Sequence, residues 1–392
     1  MKFLRRISTR RLIVLCALTL VVAIGGTAVA LATSGDGPKP EPKPLANAIH
    51  DALEAPTVPG ISAEVHFTNH LIDASSVEGT APLLTGANGR LWASPADGGK
   101  LRLELQTEVG GNDTQVLVED RQFEIYDGTS ETVYRGTLPD EHGEGGAADD
   151  GVPSVMRIQK EIDRVGKHAD LSGAIPSDVA GQPTYTLRAT PSHDGGLLGA
   201  VEVAWDAGNG IPLRGAVYAS GNGSPVLELE ATDVSFEAVP ASVFDISPPA
   251  SAKVVDLAPG TGPDEHGEPT VVRGADAVAA AVDFPLTAPE SLAGLPRSEV
   301  RGIEIDGHSA ALATYGKGLG GIAVIESASE PGAAGEPSEQ DLSLPKVVIG
   351  DVKGEELDTA LGSALWFSRD GVDYVVIGSV PPAAVEAAAR GL

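Results

Sequence analysis

Val201-Glu202-Val203-Ala204-Trp205-Asp206, leading into Gly210-Ile211-Pro212-Leu213-Arg214 and Val217-Tyr218-Ala219, decides the fold. Val201, Val203 and Trp205 alternate with Glu202, Ala204 and Asp206, the period-two pattern of a strand with one apolar and one wet face. The same alternation recurs on either side. Ile61, Ala63, Val65 and Phe67 alternate with Ser62, Glu64, His66 and Thr68, and Leu101, Leu103 and Leu105 with Arg102, Glu104 and Gln106; Tyr185, Leu187, Ala189 and Leu227, Leu229, Ala231 repeat it. Residues 115–118, 122–126, 132–135 and 213–219 are further strand-like runs. Gly, Asn, Asp or Pro clusters separate most neighbours, so one large antiparallel sheet is the economical arrangement.

Two segments break the period. Leu45, Ile49 and Leu53 are spaced four apart, and Val155, Ile158, Ile162 and Val165 recur at helical spacing within 153–170, after Ser154 as a cap. A sheet with one apolar face and two short amphipathic helices predicts an α+β fold: a curved antiparallel sheet whose apolar face the helices cover. Periodicity fails at Pro248-Pro249 and across 258–269. Beyond that break, helices at 276–282 and 382–390 and strands at 303–305, 311–315, 322–325, 347–349, 364–367 and 374–377 predict a smaller α+β domain, with 329–341 as a loop. The expected division is a signal-anchor or signal peptide at 1–32, a proline-rich spacer at 33–44, the sheet domain at 45–257, a linker at 258–270 and the second domain at 271–392.

The N-terminus predicts export. Lys2, Arg5, Arg6, Arg10 and Arg11 precede residues 12–32, which carry no charge and are about as long as the ~20 residues a membrane-crossing helix needs. Ala30-Leu31-Ala32 is a small-x-small pattern suited to cleavage, so an anchor and a removed signal are both open, and either places the body outside. Arg10-Arg11 is too common in signal flanks to establish twin-arginine export, and Cys16 lacks the small residues before it that acylation requires. Cys16 is the single cysteine, which excludes disulfides, thiolate metal sites and a cysteine nucleophile from the body. The chain holds 27 Lys and Arg against 55 Asp and Glu, and five of the cations lie in the first 11 residues. Such a net charge argues against nucleic acid and against electrostatic binding to anionic membranes.

The motifs that carry chemistry elsewhere have plain explanations here. Gly316-Lys317-Gly318-Leu319-Gly320-Gly321 fits G-x-G-x-x-G, but the strand-like Ile322-Ala323-Val324-Ile325 follows instead of a helix, so the glycines predict a hairpin turn. Pro-Asp-Glu-His-Gly-Glu occurs at 139–144 and 263–268, and with Asp149 and Asp150 offers carboxylates and imidazoles; solvated charge on a loop accounts for it, and no metal is expected. His66, His70, His168 and His193 have no ligand spacing. No nucleophile elbow, zinc-protease helix or P-loop occurs, so the expectation is no enzyme and no cofactor. Trp92, Trp205, Trp366, Phe67, Phe123 and Phe236 read either as core or as the lining of an apolar trough in the curved sheet.

Residues 45–257 resemble the LolA/RseB-like lipoprotein-carrier superfamily in its membrane-anchored actinobacterial form. The residues that carry the resemblance are Gly60-Ile61-Ser62-Ala63-Glu64-Val65, Gly89-Arg90-Leu91-Trp92, 122–127, 179–185, the Val201 stretch with its continuation to Ala219, and Phe244-Asp245-Ile246-Ser247-Pro248-Pro249. The resemblance implies a half-barrel with a helical lid whose concave face holds acyl chains of lipids or lipoproteins. It also implies relatives that sense envelope stress through a membrane partner such as an anti-sigma factor. Carried onto this chain, the inward positions are Val65, Phe67, Leu91, Leu103, Leu105, Phe123, Ile125, Val203 and Trp205, with a register error of one residue reversing the face. The expected function is non-enzymatic acyl-chain binding at the outer face of the cytoplasmic membrane, entered by displacing the 153–170 helix; the alternative is a regulatory protein that binds a membrane partner.

Overall fold

The computed structural model describes residues 37–72, 86–95, 99–106, 113–138, 152–192, 196–257, 272–305, 308–329 and 344–392. The N-terminal apolar run, both Pro-Asp-Glu-His-Gly-Glu stretches, Asp149, Asp150, His193 and most of 329–341 lie outside these residues. After helix α1 (Leu45–Glu54) come β1 (Ile61–Asn69), β2 (Ala87–Ser94), β3 (Lys100–Gln106), β4 (Asp113–Glu119), β5 (Gln122–Asp127) and β6 (Thr132–Thr137). Helix α2 (Val155–Val165) is followed by β7 (Ala169–Leu171), β8 (Ile175–Val179), β9 (Gln182–Pro191), β10 (Leu198–Asp206), β11 (Pro212–Ala219), β12 (Pro225–Ser235) and β13 (Lys253–Asp256). These strands form one 13-stranded sheet in the order β13-β6-β5-β4-β3-β2-β1-β12-β11-β10-β9-β7, with β8 paired to β9.

The sheet is a curled half-barrel, antiparallel throughout except that β13 runs parallel to β6. Meander connections suffice for most of it because the turns are short. Ala180 (φ 52°) and Gly181 (φ 72°) are both left-handed, the two-residue turn whose twist matches the flanking strands β8 and β9. Asp120 and Arg121 make the same turn between β4 and β5 without a glycine. Besides β2, marked only by the resemblance at Gly89-Arg90-Leu91-Trp92, the period-two reading missed β7, β8 and β13. Each is short, and Pro176 and Asp178 in β8 mask any alternation.

The second sheet has 8 strands: β14 (Ser291–Leu292), β15 (Leu295–Ile305), β16 (His308–Tyr315), β17 (Ile322–Ala328), β18 (Lys346–Ile349), β19 (Val352–Thr359), β20 (Gly362–Arg369) and β21 (Val372–Gly378). Helices α3 (Ala275–Ala281) and α4 (Pro382–Arg390) pack on its apolar face, around Val278, Val385, Ala388 and Ala389. The expected strand at 303–305 is the end of an 11-residue β15; Arg297, Glu299 and Arg301 had hidden its first half. The glycines at 316–321 turn the β16–β17 hairpin, as their context predicted. The two sheets meet where Leu197 N–H donates to the Ser379 carbonyl at 2.8 Å and Ala360 N–H donates to the Leu71 carbonyl at 2.9 Å, with Leu357 packed on the first core.

The helices behave differently from the expected cover. Leu45 and Ala48 are buried and Ile49 partly so, but Leu53 at the end of α1 is 48% exposed. In α2, Ile158 is buried and Ile162 packs inward, whereas Val165 is exposed. Ser154 caps α2 by accepting Arg157 N–H, as its sequence position predicted.

Candidate apolar binding site

One face of the first sheet carries all nine residues that the resemblance placed inward, each buried to 9% exposure or less. Seven of them, Val65, Phe67, Leu91, Leu103, Leu105, Phe123 and Ile125, belong to one core cluster, and Val203 and Trp205 to another. Leu103, Leu105, Phe123 and Ile125 interlock with Ile72, Val116, Val118 and Tyr134, so the β2–β6 end is a filled core. Trp205, at the opposite end, lies with Tyr185 and Leu187 beneath Leu45, Ala48 and Ile162 of the two helices. Between these packed ends runs a trough of about 280 Å³, and of the nine only Val65, Phe67, Leu91 and Val203 line it.

The remaining lining comes from strands that alternation identified but did not assign to a site. β11 contributes Leu213, Gly215 and Val217, β12 contributes Leu227, Leu229 and Ala231, and β1 adds Ile61 and Ala63. Register fixes their common face: Val203 pairs with Gly215, Gly215 with Leu229, Phe67 with Leu229, and Val65 with Ala231. A one-residue slip would replace this surface with Glu202, Arg214 and Glu228. No residue of α1 or α2 lines the trough. The expected entry by displacement of α2 is therefore corrected: the helix caps one end of the sheet and leaves the middle uncovered.

The floor of the trough lacks a side chain at Gly215. A Cβ built on Gly215 meets no heavy atom within 4 Å, and its backbone is not among those at positive φ, so nothing in the fold requires glycine there. Gly89 has the opposite reason for being small, since a Cβ would collide with the Glu104 carbonyl oxygen. The sequence signal for the trough was thus a small residue at an apolar-phase position between Leu213 and Val217.

Behind the trough the other face of the same strands is a charged lattice. Glu202, 1% exposed, accepts Arg188 Nη1 at 2.5 Å, Arg214 Nη1 at 3.0 Å and the Tyr218 hydroxyl at 2.6 Å. Arg214 Nε donates to Glu228 at 2.7 Å, and the Arg188 guanidinium lies 4.7 Å from the Tyr218 ring centre. Burial opposes the Arg214 charge, but its bonds to Tyr218 and Glu202 and the nearby Glu228 raise its pKa overall. Burial, then the bond to Glu202, pushes the Tyr218 hydroxyl up, and burial raises Glu230. These pairs cross four adjacent strands, β9 to β12, and hold the trough wall in one register.

The aromatics divide. Phe67 alone of those singled out lines the trough; Phe123 and Trp205 are core, and Trp92 faces the other side with Arg102 5.2 Å from its ring. Trp366 belongs to the second sheet, and Phe236 lies one residue past β12. His66 Nδ1 sits 2.8 Å from Asn88 Oδ1 on the wet face. Among the described residues no group of three His, Cys, Asp or Glu side chains gathers to hold a metal, and no helix is long and apolar enough to cross a membrane.

No protein-family model matches the chain, and no curated protein does. Solved structures do. Their names are MucB and LolA-superfamily proteins. A chain of the MucA/MucB complex of Pseudomonas aeruginosa is 18% identical, with 88% of this chain and 96% of that chain covered and a TM-score of 0.40. A LolA-superfamily protein from Nitrosomonas europaea is 10% identical over 52% of this chain and 99% of its own, with a TM-score of 0.22. A putative outer membrane lipoprotein-sorting protein domain from Vibrio parahaemolyticus is 14% identical over 52% and 96%, with a TM-score of 0.19.

Proposed function

We propose that the protein is a non-enzymatic, extracytoplasmic binding protein that holds an extended apolar chain, of the acyl type found in lipids and lipoproteins, in the trough of its first sheet. The observation that carries this reading is the trough itself: a slot walled by Val, Leu, Ile, Ala and Phe side chains, floored at Gly215, and lying between two well-packed ends of one sheet. An unbranched chain buries about 0.8 kcal/mol per methylene against such a surface, which makes a long acyl chain a sufficient ligand without a headgroup contact. Residues 45–257 serve as the binding domain and 271–392 as an appended domain, with residues 12–32 tethering both to the outer face of the membrane.

The test is native mass spectrometry of the chain from Gly37 onward, before and after delipidation, followed by titration with a fluorescent fatty acid. A co-purifying mass in the phospholipid or diacylglyceryl range, with saturable rebinding, is expected. A bare mass and no fatty-acid binding would refute the reading and leave regulation through a protein partner, for which crosslinking in cells is the direct measurement.

A further inference from the structure

The solvent face of α2 is unlike the rest of this acidic protein. At 3.6 residues per turn, Arg157, Lys160 and Arg164 fall within a sector of about 60°, opposite the inward Ile158 and Ile162, and Lys167 follows in the turn just past the C-cap Gly166. All four are exposed. Glu161 and Asp163 lie on the flanks, where Arg164 Nη1 donates to Glu161 at 2.5 Å and Gln159 Nε2 donates to Asp163 at 2.8 Å. Apolar groups protrude beside the cations. Met156 is 82% exposed, and with Val152 and Val165 it makes three of the eight large exposed hydrophobics among the described residues. Basic and apolar side chains together on one exposed helix are the composition of a segment that lies in a bilayer interface.

A second observation places this helix beside the tether. The Tyr185 hydroxyl donates to the Glu41 carbonyl at 2.5 Å, and Lys43 Nζ donates to Asp51 of α1 at 2.6 Å. The end of the proline-rich spacer is thereby fixed against α1 and β9, and α1 packs on α2. Only eight residues lie between Ala32 and Glu41, a reach of at most about 30 Å over the nine steps.

We propose that the outer face of α2 docks on the anionic headgroup surface of the lipid bilayer, through Arg157, Lys160, Arg164 and Lys167 with Met156 entering the interface. The net charge of −28 argued against such contact. That argument governs the far field, because charges beyond a Debye length of about 8 Å are screened and the helix presents its own cations at contact. Docking there directs the helix-capped end of the sheet toward the membrane. The inference does not depend on what the trough binds.

The test uses the full chain with Cys16 replaced by Ser and Met156→Cys carrying an environment-sensitive fluorophore, mixed with vesicles of phosphatidylcholine alone or with phosphatidylglycerol. A blue shift and intensity gain specific to phosphatidylglycerol vesicles are expected at 0.15 M salt and abolished at high salt. Each basic side chain at an anionic surface is worth about fivefold in partitioning, so Lys160→Glu should lose at least that much and the fourfold reversal all of it, with the thermal midpoint unchanged. The same spectrum in both vesicle types overturns the proposal. So does a shift that appears without vesicles and grows with protein concentration, which would identify a second copy of the chain as the occupant. Fatty-acid titration of the same variants reads the trough separately, so either result stands when the other fails.

Discussion

Replacing Gly215 by Leu separates a ligand site from an imperfect core. Position 215 lies on the trough floor, has an ordinary strand backbone, and offers a new Cβ no neighbour within 4 Å. Removing a strand glycine gains roughly 0.5–1 kcal/mol from backbone entropy. Burying a Leu side chain is worth about 2 kcal/mol when complete. The trough is open on one side, so about half of that is expected, offset by ~0.5–1 kcal/mol of side-chain entropy. The net is a stabilisation of about 1 kcal/mol, or a rise of about 2–4 °C in Tm for a domain of this size. The same four carbons displace some three methylenes of a bound chain, about 2.4 kcal/mol, or on the order of 50-fold in Kd. Urea denaturation measures the first effect and displacement of a fluorescent fatty acid the second. A loss of stability would mean that the floor is not open. An affinity within threefold of the parent would mean that the ligand lies elsewhere, and either outcome refutes the reasoning.

Leu105→Ala, in the filled end, should cost about 2–5 kcal/mol in urea denaturation yet leave the Kd of the folded protein for fatty acid unchanged, because Leu105 touches the core and not the trough. Phe67→Ala should cost about 3–5 kcal/mol and shift chain-length preference in a fatty-acid series toward longer or bulkier chains. Glu202→Ala leaves Arg214 and Arg188 without their shared carboxylate and should lower stability by about 3–5 kcal/mol by the same assay. Stability should also fall as pH rises from mildly acidic to neutral. Burial raises the pKa of Glu230, Glu326 and Glu356, so the folded state binds their protons more tightly than the unfolded chain does. The stabilisation is complete below the ordinary carboxyl pKa and lost as pH climbs through the raised values. Glu326→Gln should flatten part of that slope in a series of thermal midpoints, and a midpoint that climbs steadily from pH 5 to pH 8 would contradict it.

How far the sequence carried can be judged from particular residues. Alternation placed Val65, Phe67, Leu103, Phe123 and Val203 on the same face of the sheet, because period two is dictated by the pleat and needs no tertiary information. It could not say that Leu103 meets Val116 and Ile72 while Phe67 borders open space. That difference depends on which strands curl toward each other, a property of strand order, and β1 pairs with β12 across more than 150 residues of chain. The helices were legible as helices from their spacing. Their coverage was not, since the sequence of α2 does not show that Ile162 would meet Trp205's cluster at the sheet's end instead of Phe67's at its centre. Strands dense in charge or proline, such as the first half of β15 and β8, gave no signal because charged residues and Pro296 or Pro176 interrupt the alternation around the few apolar side chains that do pack inward, Leu295, Val300 and Val179.

The size of the trough bears on whether it is a by-product of curvature. A sealed apolar cavity costs about 24 cal/mol per Å³, so 280 Å³ would amount to roughly 7 kcal/mol. That is comparable to the entire stability of a typical domain; the trough is open on one side, so only part of that cost is carried, and a Leu at 215 recovers about 1 kcal/mol of it. Buried water relieves such a cost only where two to four polar partners are within reach. The lining is mainly Val, Leu, Ile, Ala and Phe, and its charged members Glu202, Arg214 and Glu228 are already hydrogen-bonded to one another. The charged groups of the same strands are turned to the opposite face and engaged with one another, from Arg188 through Glu202 and Arg214 to Glu228. A surface that is apolar, unsealed and braced from behind gains free energy when an apolar guest covers it, and the paired stability and affinity readings of Gly215→Leu measure whether that is what the open floor is for.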